Sequence, residues 1–417
     1  MTLNTPVTAV ERSVRRHDID ALRVIAFGLL ILYHVGMFYV ADWGWHVKSS
    51  HLSETLQWPM LVVNQWRMAL IFLISGLALS FVADRYRPSQ LAGRRSWRLL
   101  WPLLFGMAIV VPPQAYYQAL SNGVIEPGYA DFLVRYFTFQ PWPEGAFDGS
   151  HIGITWNHLW YLPYLLAYTL LLAALLPALR SRAGQAVLTR LRSLRGVWLV
   201  VLPTLPLLFH GLVIYPLFGD ISHDFFTDGY AHALYFTIFL YGFIIGRDER
   251  LWTSIGNLRW PLLCLAPLTF IGYRLLVDAT SDDASPVQWL SLFCALYLNR
   301  WVWLLLLLGW SYRLLNRPWR WLPAANRAVY PWYILHQTIT VVAGYHLARM
   351  GLGPVWEPLL VLLATVLGCW LIYRWLILPV HWLRPCFGVW EKVPANTRAQ
   401  RAAAADHTSN RTQHQPG

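Results

Sequence analysis

Three ionisable residues stand in the first apolar stretch of the chain, which reads Asp20-Ala-Leu-Arg23-Val-Ile-Ala-Phe-Gly-Leu-Leu-Ile-Leu-Tyr-His34. Charge in hydrocarbon is expensive, so an arginine and a histidine placed there mark a functional site by default. Arg23 and His34 are eleven positions apart, about three helical turns, which puts them within roughly 20° on one helix face. At about 1.5 Å per residue they stand roughly 16 Å apart, so they mark two depths of one cavity and not a contacting pair. Histidine is the usual general base at neutral pH, and His34 is suited to take a proton from an alcohol. Asp20, three residues before Arg23, is placed to orient its guanidinium.

Further candidates recur along the chain. Arg67, in Asn64-Gln65-Trp66-Arg67-Met68, falls near the depth of His34 and there needs a carboxylate, a helix carbonyl or an anionic ligand. Ser75-Gly76 permits close helix approach. Arg95 and Arg98, just ahead of Pro102, share a face in a geometry suited to phosphate groups, or else simply hold their loop inside. His158 and Trp160 open one later apolar stretch, and His336 lies about a third of the way into another. With His34 and Arg67 they suggest a polar cavity inside a bundle. Trp45 and His46 belong to a loop whose aromatic and small polar residues suit a sugar-like acceptor, or equally an aromatic belt at the interface. No phosphate-binding loop, zinc-type His-Glu-x-x-His or nucleophile elbow is present. The four cysteines show no metal-ligand spacing, so no metal is expected.

These residues are positioned by an all-α membrane bundle. The chain is 56% hydrophobic and 13% charged with 24 Trp, which excludes an ordinary soluble domain. The net charge of +12 is spread as short arginine clusters between apolar runs, a topology signal and not a nucleic-acid footprint. Apolar runs at 21–40, 57–82, 99–118, 159–179, 197–216, 229–246, 260–277, 288–310, 328–347 and 357–379 predict about ten transmembrane helices. Every second loop is arginine-rich, which places both termini in the cytoplasm. Residues 1–17 read as a basic cytoplasmic segment ahead of an uncleaved anchor, 18–393 as the transmembrane domain, and 394–417 as a disordered cytoplasmic tail.

In order, Asp20-x-x-Arg23, Arg23-x10-His34, Phe72-x-Ile74-Ser75-Gly76, Arg95-x-x-Arg98 before Pro102, His158-Leu-Trp160-Tyr-Leu162 and Tyr333-Ile-Leu-His336 resemble the membrane acyltransferase-3 family over nearly the whole chain. Trp45-His46-Val47-Lys48-Ser49 and Arg67-Met68 are similar to its branch that succinylates periplasmic glucans, whereas Val329-Tyr330-Pro331-Trp332 departs from the family's usual wording. The resemblance implies a multi-pass enzyme of the bacterial inner membrane that moves an acyl group from cytoplasmic acyl-CoA (succinyl-CoA or acetyl-CoA) to a glycan hydroxyl on the outer side. It implies His34, Arg23 and Asp20 as catalytic, and Arg23, Arg95, Arg98, Ser75 and Gly76 as donor-binding. Arg67, Trp45, His46, His158, Trp160 and His336 would meet the substrates. A secondary transporter of a polysaccharide or small anion is the competing reading, although no internal repeat of the kind common in transporters is evident.

Overall fold

The first apolar stretch folds into α1 (His17–Tyr39) and the last long one into α16 (Gly353–Leu371), and the regular elements described between them are helices as well. The computed structural model describes residues 15–281 and 283–390; the expected tail, 394–417, lies outside them. The intervening helices are α2 (Gln57–Asn64), α3 (Arg67–Ala83), α4 (Pro88–Phe105), α5 (Pro112–Ser121), α6 (Tyr129–Tyr136), α7 (Tyr161–Arg180), α8 (Arg182–Arg192), α9 (Val197–Phe209), α10 (Tyr215–Phe218), α11 (Gly229–Ile245), α12 (Glu249–Asn257), α13 (Arg259–Ala279), α14 (Pro286–Leu314) and α15 (Leu322–Leu347). A short α17 (Leu383–Cys386) follows α16. Among the described residues there is no strand, only an isolated bridge between Val40 and Ser53. Helix ends follow local chemistry. Ser285 caps α14 by accepting from the Gln288 amide at 3.4 Å while Gln288 reaches back to the Ser285 N–H at 2.8 Å, with Pro286 preset at the first helical position.

Among the described residues, seven helical stretches are long and apolar enough to cross a membrane, or nine if each of two bent pairs is one span. The expected count of ten is not reached by this measure. The difference is α15, which has the length of a span but carries Asn326, Arg327, His336, Gln337, Thr338 and Thr340. Its polar groups are turned inward: His336, Gln337 and Thr340 are all buried. A helix walled off by neighbours need not be apolar throughout, because lipid never meets its polar face.

α1 and α15 run side by side in the same direction. Asn326 lies beside Arg23 at 3.0 Å, His336 beside His34 at 2.8 Å, and Gly344 under the ring of Phe38. This register fixes the site.

Two interruptions shape the space next to α1. Between α2 and α3 the helix breaks at Gln65-Trp66, and Arg300 of α14 donates from Nε to the freed Gln65 carbonyl at 3.0 Å. A side chain that satisfies a freed carbonyl is what lets a broken helix persist at membrane depth. After α4, a π-helical turn (Gly106–Val110) runs into Pro112-Pro113, and the chain bends by 42° into α5. The bend brings Gln114 and Gln118, one turn apart on one face, toward the histidines.

α3 and α11 cross at backbone contact. A Cβ on Gly76 would lie 1.9 Å from the Phe239 carbonyl oxygen, and one on Gly242 would lie 2.0 Å from that of Leu73. Small residues that admit such an approach hold membrane helices together by dispersion.

Candidate active site

A cavity of about 490 Å³ opens beside α1. Its walls include His34, Trp45, His46, Arg67, His158 and Trp160, six of the residues singled out from sequence. Loops 148–157 and 222–226 supply the mouth, with Asp148, His151, His223 and Asp224.

His34 is the centre of this arrangement. Its Nδ1 lies 2.8 Å from Nε2 of His336, with the two rings stacked at 5.0 Å and only 7° apart in plane. Sequence spacing offers no hint of this contact, because 302 residues separate the pair. His336 is fully buried and does not line the large cavity; it meets His34 and lines the end of a second, smaller groove.

The other two histidines are consumed by a polar network. Nε2 of His158 donates to the Ile334 carbonyl at 3.1 Å, and its Nδ1 faces the Gln114 amide at 3.3 Å. His46 sits between Gln118 Oε1 at 2.8 Å and the Gln337 amide at 2.7 Å, with Asp148 at 3.1 Å. Gln114 Oε1 accepts from both Asn157 (3.2 Å) and Gln337 (3.1 Å). Buried polar groups with every partner supplied rigidify a site. Gln114, Gln118, Asn157 and Gln337 escape sequence reasoning because a lone amide carries no motif; only the crossing of α5, α15 and the loop before α7 unites them.

Arg67 takes an unexpected partner. Its guanidinium lies over the ring of Tyr33, 3.5 Å from the centroid, and its Nε and Nη1 are buried without a hydrogen-bond acceptor among the described residues. Neither the expected carboxylate nor a helix carbonyl is found there among the described residues; the ring of Tyr33 is its partner.

The rim adds one residue that sequence offers no reason to choose. His223 has φ = +61°, a conformation disfavoured for a side chain with Cβ, and its ring lies 4.2 Å from that of Trp160. The turn is held by Asp228, which accepts from the His223 amide at 3.1 Å and the Tyr164 hydroxyl at 2.8 Å. Desolvation pushes the His223 pKa down to about 4, so this imidazole is neutral at the mouth.

At the opposite end of α1, Arg23 donates to Asp20 (3.3 Å) and Asn326 (3.0 Å), and Asp20 also holds Arg15 at 2.8 Å. Asp20 thus orients the guanidinium, as its spacing suggests. Arg95 lies within electrostatic reach of Arg23, Arg98 and the Tyr161 hydroxyl, and Arg98 is exposed, 5.9 Å from the ring of Trp390.

The expected single cavity joining Arg23 to His34 resolves into two spaces. The large one stops at Phe27 and Tyr333, which meet edge-to-face at 5.6 Å. Beyond them an apolar groove of about 190 Å³ follows the α1–α15 seam from Val24 and Ala325 to His336. Ser75 does not line the cavity; it is hydrogen-bonded to the hydroxyl of Tyr161, which does. Gly76 faces the backbone of α11 and packs against it. Among the described residues no three His, Cys, Asp or Glu side chains converge to hold a metal.

A helical membrane bundle that presents a cavity-facing imidazole, a buried guanidinium with free donors and an arginine cluster at the far end has the parts of a membrane transferase. Residues 16–374 match the acyltransferase domain family of the acyltransferase-3 type, and the chain belongs to that family. It is similar to glucans biosynthesis protein C of Escherichia coli O6:K15:H31 (strain 536 / UPEC), 24% identical over 170 residues that cover 40% of each chain. The likeness thus spans well under half of that relative's length. No solved structure matches.

Proposed function

We propose that the protein transfers an acyl group from a cytoplasmic acyl-CoA to a hydroxyl of a glycan on the outer face of the bacterial inner membrane. Both termini are cytoplasmic in this reading, on the strength of the alternating arginine-rich loops. The observation that carries the proposal is the placement of His34: one ring nitrogen is engaged by His336, and the ring lines the cavity beside Arg67.

The chemistry is direct transfer. The acceptor hydroxyl gives its proton to the free nitrogen of His34 as its oxygen attacks the thioester carbonyl. The tetrahedral oxyanion is stabilised by the positive charge of Arg67, and its collapse breaks the C–S bond. The leaving thiolate takes the proton from His34, which restores the imidazole. Arg23, Arg95 and Arg98 suit the CoA phosphates, and the α1–α15 groove lies on the line from them to the histidines that the thioester arm must follow. The acceptor enters from the other end, past Trp45, Trp160 and the polar rim.

Arg67 offers a second anion-binding duty if the acyl group carries its own carboxylate, as a succinyl group does. Charge-assisted hydrogen bonds contribute about 1.5–3 kcal/mol, a factor of roughly 10–100. Arg67→Gln is therefore expected to weaken the preference for succinyl-CoA over acetyl-CoA by that factor in competition assays on membranes. An unchanged preference removes Arg67 from this role.

The overall proposal is tested by supplying purified protein in liposomes with radiolabelled succinyl-CoA or acetyl-CoA and a periplasmic glucan fraction. Label passing to the glucan supports it; label staying with CoA from both donors counts against it.

A further inference from the structure

The hydrogen bonds around His336 fix where the protons of the histidine pair must be. Nδ1 of His336 lies 2.7 Å from the Tyr333 carbonyl oxygen and 3.1 Å from that of Trp332. A carbonyl can only accept, so this nitrogen carries hydrogen and donates. In the neutral ring Nε2 of His336 is then bare, and it is this bare nitrogen that faces Nδ1 of His34 at 2.8 Å. Two bare nitrogens at that distance would repel, so His34 donates from Nδ1. Its own Nε2 is left as a lone pair.

We infer that His336 is a positioning residue that sets the tautomer of His34 and so makes Nε2 the basic nitrogen of the site. This rests on the acyl-transfer reading above, and it identifies the group behind the base, a place that an aspartate fills in many histidine-dependent enzymes. A second imidazole with its back to a helix carbonyl does the same work without placing another charge at membrane depth. Ring planes only 7° apart and the full burial of His336 keep the two rings aligned for this bond.

The arrangement has a directional consequence. Nε2 of His34 accepts the substrate proton without disturbing any bond in the chain, because Nδ1–H still points at a lone pair. Protonating His336 at Nε2 instead would set two N–H groups against each other. The substrate proton is therefore taken up at Nε2 of His34, with the hydrogen bond between the two rings kept.

The test uses the full chain in nanodiscs with 15N-labelled histidine, the His34 signals being identified as those lost in His34→Gln. The expected result is a protonated Nδ1 and an unprotonated Nε2 on His34 at neutral pH; the opposite assignment overturns the inference. Kinetics supply a second arm. The Oε1 of glutamine reaches the place of Nε2 in histidine, so His336→Gln is expected to keep kcat within about tenfold of the parent. His336→Leu should lose about 10²–10⁴-fold, between the contribution of a general base and the loss seen when an orienting partner is miscast. Equal losses in the two variants, with both folded, also overturn it. Should the parent move no acyl group at all, the transfer reading fails by itself, while the nitrogen assignment still decides the tautomer.

Discussion

His34→Ala is expected to lower acyl transfer by about 10²–10⁴-fold, the usual contribution of a positioned general base, with the bundle still inserted and folded. The size of the effect follows from how completely the surroundings are committed elsewhere. His158 and His46 have both ring nitrogens engaged by Ile334, Gln114, Gln118 and Gln337, so neither is free to take over. Folding should survive because His34 is only partly buried and faces the cavity, so its removal enlarges an existing space instead of opening a new void. Turnover of purified protein in liposomes, paired with a thermal melt, separates the two quantities. Retained turnover removes His34 from the role of base.

Gly76→Val is the second large effect, and it acts on the fold. Its Cβ would sit 1.9 Å from the Phe239 carbonyl oxygen, and the obstacle is backbone, which cannot rotate away. Overpacking a core typically costs about 1–3 kcal/mol, and a clash that must push neighbouring helices apart belongs at or above the top of that range. Association of helices in lipid depends on close packing, since burial of apolar surface from water is not available to drive it. Loss of monodisperse protein on detergent extraction is the expected result. Gly28→Ala serves as the control: a Cβ there has nothing within 4 Å, and the helix gains roughly 0.5–1 kcal/mol from losing a glycine. Equal yields of the two variants would contradict the assigned role of the α3–α11 crossing.

The helices themselves were legible in the apolar runs, and so was the pairing of Asp20 with Arg23, because both depend on short spacings along one helix. Counting residues from span ends also suggested a common polar cavity for His34 and Arg67, and both line one. The run at 328–347 was legible as a span; that its polar residues face protein was not, because composition cannot say what a face meets. The His34–His336 contact, the amide network of Gln114, Gln118, Asn157 and Gln337, and the left-handed turn at His223 depend on which helices lie side by side. No local pattern encodes that. Ser75-Gly76, read as a pair that permits close helix approach, does admit α11 at Gly76, while Ser75 holds Tyr161.

The central claim is that this chain moves an acyl group and that His34 takes the proton. Mass spectrometry of periplasmic and surface glycans tests it most directly, comparing cells that carry the protein, its His34→Ala variant, or neither. Glycans heavier by one acyl ester are expected in the first case and unmodified glycans in the other two. Identical glycan masses in all three, with an unmodified glycan changed only in its location, would contradict the claim and point to transport.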